Sequence, residues 1–135
     1  MGVAALAALI AVGCGGHGTA ATGGTPIVNV GERDFAITAP TTVQAGQVIV
    51  RVSNKGPVGH ELIVVRAPNA DLPMRSDGLT VDEARLQNSE LGALEPIDAP
   101  ATRDLAIHLT PGRYVLFCNM SGHYIGGMHR VLVVK

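Results

Sequence analysis

Apolar and polar residues alternate over several short stretches of the chain. Asp34–Thr38 alternates, as does Gln47–Ser53, where Val48, Val50 and Val52 share one face. Thr41–Thr42–Val43 is a second short strand between them. Arg103–Leu109 places Leu105, Ile107 and Leu109 on one side. Glu61–Arg66, Tyr114–Cys118 and Arg130–Val134 are more continuously apolar. Period-two patterns of this length predict strands, and turn signals separate them at Ala39–Pro40, Ala45–Gly46, Asn54–Pro57 and Thr110–Arg113. Short strands at such spacing predict an all-β, antiparallel sandwich.

Residues 67–101 break the rhythm. They hold four of the eight prolines, Pro68, Pro73, Pro96 and Pro100. Thr80–Val81–Asp82–Glu83 has the form of a capping box and predicts a short helix over Val81–Asn88. The segment is too short for a second domain. It is expected to be a long loop with one short helix, covering a sheet edge.

The N-terminal pattern differs again. Residues 3–12 are ten consecutive apolar residues, too few to span a bilayer as a helix but suited to the core of a signal peptide. Small residues and Cys14 follow, which resembles a bacterial lipoprotein processing site. That resemblance implies a signal peptide over 1–13 and lipidation of Cys14. It departs from the usual signal in having no Lys or Arg before the apolar run and Ala at position 11. Residues 14–26 form a Gly/Thr-rich tether without Asp, Glu, Lys or Arg, and the domain occupies 27–135. The expected location is extracytoplasmic, anchored to the membrane through Cys14; cleavage and release as a secreted or periplasmic protein is the alternative.

Composition changes little in this picture. The chain has 135 residues, 47% of them hydrophobic, enough for one domain with a buried core. Aromatic residues are 3%, so aliphatic side chains fill that core. A net charge of −1 argues against a nucleic-acid partner. No oligomer is indicated.

The chemistry concentrates near the C-terminus. Cys118, His123 and Met128 stand in the spacing C-x4-H-x4-M, and His60 lies upstream in Pro57–Val58–Gly59–His60. One thiolate, two imidazoles and a thioether form a soft donor set. Trigonal coordination by two His and one Cys, with a long axial Met, is a blue-copper arrangement. In a Greek-key sandwich the strand after His60 and the strand before Cys118 can be neighbours, which would bring all four to one pole. Gly122, Gly126 and Gly127 would let the loop curl around an ion.

The run Leu109–Thr110–Pro111–Gly112–Arg113–Tyr114…Cys118…Gly122–His123…Gly127–Met128, with Asn54…Gly56…His60 upstream, resembles the cupredoxins, the type 1 blue-copper proteins. C-x4-H-x4-M is similar to rusticyanin- and sulfocyanin-like members. The resemblance covers about residues 27–135. It implies a Greek-key β-sandwich, one type 1 copper ion held by His60, Cys118, His123 and Met128, and electron transfer through His123 to redox partner proteins docking there. Many cupredoxins have Asn after the first His ligand; here Glu61 stands in that place. Its carboxylate is expected to accept a backbone N–H near Asn119, making both residues candidates for the surroundings of the metal.

Other residues weigh less. His17 is an isolated residue of the tether. His129 is a competitor ligand that alternation turns away, and His108 should face solvent. Met120, Tyr124 and Ile125 are either loop packing or an apolar docking patch. The expected role is an electron carrier and not an enzyme. The alternative is copper buffering or delivery, which a Met/His-rich surface tract would favour, and the tether holds only His17. A catalytic copper domain needs further His ligands, and a dinuclear copper site needs a second Cys in the loop.

Overall fold

The computed structural model describes residue 1 and residues 23–135. The predicted lipidation at Cys14, nearly all of the signal peptide, His17 and most of the tether lie outside the described residues.

Nine strands follow in chain order: β1 (Ile27–Arg33), β2 (Ala36–Thr38), β3 (Thr42–Val43), β4 (Gly46–Asn54), β5 (His60–Arg66), β6 (Glu90–Ile97), β7 (Ala101–Leu109), β8 (Gly112–Phe117) and β9 (His129–Val134). They form two sheets, ordered β2-β1-β4-β7 and β3-β9-β8-β5-β6. The inward residues of one sheet (Val28, Val30, Val48, Val50, Val52, Ile107 and Leu109) meet Leu62, Val64, Tyr114, Leu116, Leu132 and Val134 of the other. The alternation that predicted β4 and β7 is the alternation of this buried face.

β5 and β8 are buried on both faces. Ile63, Val65, Val115 and Phe117 turn away from the first core into a second one. Leu72, Val81, Leu86 and Tyr124 cover them there. This is why both strands read as continuous apolar runs.

Three expectations need correction. The sandwich is mixed, because β1 pairs with β4 and β3 with β9 in parallel. The short helix over Val81–Asn88 is only one 3₁₀ turn, Glu83–Arg85. Its capping box does not form: the Thr80 hydroxyl donates to Asp77, and Glu83 accepts from the Asn119 side chain. The 67–101 segment covers a sheet face, and its second half is itself an edge strand, β6, paired with β5. Pro96 is tolerated there because an edge strand has one unpaired side.

The strands bring the predicted donors to one pole. β5 and β8 are antiparallel neighbours, with Ile63 opposite Phe117. His60 at the start of β5 and Cys118 just after β8 therefore lie at the same end.

Candidate metal centre

His60 is fully buried. Its Nε2 lies 3.1 Å from Asp34 Oδ1, while its Nδ1 has no hydrogen-bond partner. A carboxylate is an acceptor, so Nε2 carries the proton and the Nδ1 lone pair is free. Burial lowers the His60 pKa, and the neighbouring His123 lowers it further, against the opposing pull of Asp34. The neutral imidazole, the form that can bind a metal, is therefore favoured.

Cys118 is also fully buried, and burial pushes its thiol pKa up; backbone N–H groups of Met120 and Glu61 oppose this. Its Sγ lies 3.6 Å from His123 Nδ1. The two imidazole rings meet edge on, with centroids 5.2 Å apart. One donor atom each from His60, Cys118 and His123 falls within 4.8 Å of the others. The structure thus gathers three of the four predicted donors directly. Met128 is fully buried in the same cluster as Cys118.

The loop 118–128 is closed by its own backbone. Cys118 N–H donates to Met128 O at 3.1 Å, and Met128 N–H to His123 O at 3.0 Å. Gly122 and Gly127 have φ of +81° and +105°, values that disfavour a side chain.

Surrounding polar groups hold the ligand-bearing segments. Asn119 N–H donates to Glu61 Oε1 at 2.9 Å, as the sequence suggested. The Asn119 side chain accepts from Val81 N–H at 2.6 Å and donates to Val81 O at 3.0 Å. Asn54 donates to Val58 O and Ile97 O, both at 2.8 Å, and accepts from Gly56 N–H. This pins the loop that leads to His60.

Sequence reasoning missed two residues of the site. The alternation of Asp34–Thr38 predicts a strand from Asp34, but Asp34 and Phe35 are the two-residue turn between β1 and β2, whose Arg33 and Ala36 pair. The Phe35 ring lies 5.3 Å from that of His123. No local pattern announces contacts so distant in the chain. His129 and His108 stay outside the group: the His129 ring packs tilted against Tyr124, with centroids 5.0 Å apart, and His108 is exposed. Tyr124 is buried, Met120 is half-buried and Ile125 is 56% exposed, so the three divide between packing and surface.

A family model of the sulfocyanin (SoxE) domain matches residues 28–135. The chain belongs to the sulfocyanin domain family of cupredoxins. No curated protein sequence matches it. The sulfocyanin domain is similar in fold to a dithionite-reduced auracyanin from Roseiflexus castenholzii, with 18% identity, 84% of this chain and 99% of that chain covered, and a TM-score of 0.65. Auracyanin A, a "blue" copper protein from Chloroflexus aurantiacus, is 21% identical, with 83% and 100% covered and a TM-score of 0.61. Rusticyanin from Thiobacillus ferrooxidans is 18% identical, with 83% and 79% covered and a TM-score of 0.59.

Proposed function

We propose that the sulfocyanin domain holds one copper ion through His60, Cys118 and His123, with Met128 as axial donor. It carries one electron by cycling between Cu(I) and Cu(II), as a carrier and not an enzyme. The observation that carries this reading is the orphaned Nδ1 of buried His60, on a ring that brings a nitrogen within 4.8 Å of the Cys118 thiol and of an imidazole nitrogen of His123. A buried polar nitrogen without a partner is costly, and a metal ion would satisfy it. The donor set matches copper in a trigonal thiolate site better than it matches a hard cation. His123 is the one partly exposed member, which suits it to pass the electron to a docked partner.

Membership of the cupredoxins and the fold shared with auracyanins and rusticyanin support the same reading. His108 and His129 do not complete a second centre among the described residues. We also propose an extracytoplasmic place for the domain, tethered by a lipid on Cys14.

The test is the visible spectrum of the copper-loaded protein. An intense thiolate-to-Cu(II) band, absent from Cys118→Ser, is expected. A colourless copper complex would refute the assignment.

A further inference from the structure

The turn between β1 and β2 touches both histidines of the centre with adjacent residues. Asp34 Oδ1 takes the Nε2 side of His60 at 3.1 Å. The next residue, Phe35, sets its ring 5.3 Å from that of His123 at an interplanar angle of 59°. Each contact is made over a glycine. A Cβ on Gly56 would stand 2.8 Å from both Asp34 Oδ1 and His60 Nε2. A Cβ on Gly126 would stand 3.0 Å from Phe35 Cε1 and closer still to its Cδ1. Real Cβ atoms are not found that close, so these two glycines leave the room in which the turn lies on the site.

Two further features set Phe35 apart from an ordinary surface residue. It is 53% exposed although apolar, and its φ is +60°, the only positive value at a non-glycine among the described residues. A bulky residue in the left-handed region is an outlier. Glycine or asparagine would serve the backbone better, so the turn keeps the ring in spite of the backbone.

We propose that the Asp34–Phe35 turn is a positioning element of the metal centre, in which Asp34 fixes the ring and tautomer of His60 and Phe35 shields the solvent edge of His123. The proposal rests on the copper reading given above. A ligating imidazole commonly donates its other N–H to a carboxylate or carbonyl, and this sets which nitrogen is free for the metal. Here the acceptor is a carboxylate, so it also places negative charge behind the ligand and favours Cu(II). Phe35 does different work. Its ring stands beside the only partly exposed ligand, where it limits access of small anions to the ion.

The experiment compares Asp34→Ala, Asp34→Asn and Phe35→Gly with the wild type, and uses Arg33→Ala in the same hairpin as control. Glycine adopts positive φ freely, so Phe35→Gly keeps the turn and removes only the ring. In metal-free protein, ring nitrogen-15 shifts should show His60 protonated at Nε2 in the wild type and in Asp34→Asn, and a mixture of tautomers in Asp34→Ala. Loaded with copper, Asp34→Ala should lose about 10- to 100-fold in affinity against a chelator, the usual cost of removing such a partner. Asp34→Asn should keep copper but show a raised reduction potential, which a merely structural hydrogen bond would not produce. Azide should perturb the visible band of Phe35→Gly at concentrations that leave the wild type unchanged. A wild-type His60 tautomer in Asp34→Ala, or azide resistance in Phe35→Gly, would overturn the respective half of the proposal. Wild-type protein that gains no visible band with copper would instead refute the copper reading, and the proposal would fall with it.

Discussion

Glu61 Oε1 accepts the backbone N–H of Asn119 at 2.9 Å, so the residue after His60 is bound to the residue after Cys118. Burial raises the Glu61 pKa, the Asn119 N–H opposes that rise, and Glu83 and Glu95 add to it. Two consequences can be separated. Glu61→Gln retains an acceptor but removes a negative charge close to the centre, so the reduction potential should rise with little loss of stability. Glu61→Ala leaves the Asn119 N–H unpaired and should destabilise the fold by about 1–3 kcal/mol. Voltammetry and denaturant titration on both variants check this; a potential unchanged in Glu61→Gln would show that the carboxylate charge does not reach the metal.

Glu32 makes stability depend on pH. It points inward from β1, fully buried, and neither carboxylate oxygen has a hydrogen-bond partner. Burial, assisted by the nearby Glu61, raises its pKa from 4.5 to about 7. Below the lower value both folded and unfolded chains hold the proton, and stability is highest. Between the two values the unfolded chain releases a proton that the folded chain keeps. Stability therefore falls as pH rises through this window, at up to about 1.4 kcal/mol per pH unit. In Glu32→Gln this part of the decline should vanish. Urea titrations of metal-free protein across the window give the slopes, and equal slopes in the two proteins would count against a buried, protonated Glu32.

Met128 should tune the potential and not the retention of copper. A thioether is a weak neutral donor, and axial ligands adjust blue-copper potentials. Met128→Leu should raise the potential because nothing replaces the donor. Met128→Gln should lower it because the harder oxygen favours Cu(II). Since Met128 is fully buried, the amide should also cost stability, about 1–3 kcal/mol if it finds no partner. His129→Ala, a change at a residue packed against Tyr124, should leave the spectrum as it was. Wild-type potential in Met128→Leu would remove Met128 from the coordination sphere.

The proposed lipidation of Cys14 predicts membrane association that Cys14→Ala abolishes. A single acyl chain anchors only marginally, so the stable attachment expected of a lipoprotein needs more than one. Fractionation of cells expressing the two forms decides it. Equal retention of both would mean that the apolar N-terminal run, and not a lipid, holds the protein.

Much of the site was legible because its signals are local. Cys118, His123 and Met128 come from one loop, and alternation in β4 and β7, with continuous apolar runs in β5, β8 and β9, marked the strands around it. Glu61 was singled out because it follows a ligand. What stayed hidden depends on distant parts of the chain. The Thr80–Glu83 capping signal failed because Asp77 and Asn119 took those side chains. β6 escaped notice because Gly92, Pro96 and a register shift against β5 interrupt its period. The inward face of β1 ends in an acid, Glu32, where the pattern calls for an apolar residue. The parallel pairing of β1 with β4 has no local signature at all. Asp34 and Phe35 alternate like strand residues, and only the fold reveals them as a turn lying on the two histidines.

The burial of β5 and β8 on both faces bears on how fast an electron could cross the centre. Transfer is slow when nuclei must travel far as the charge changes. His60 and Cys118 stand at the ends of strands packed from both sides, and Asn119 ties the 118–128 loop to the segment that covers the outer face. His60, Cys118 and Met128 are fully buried, so water has little access to them. If the proposed copper ion is bound, a scaffold of this kind would favour one geometry in both oxidation states, and the rearrangement accompanying each electron would stay small.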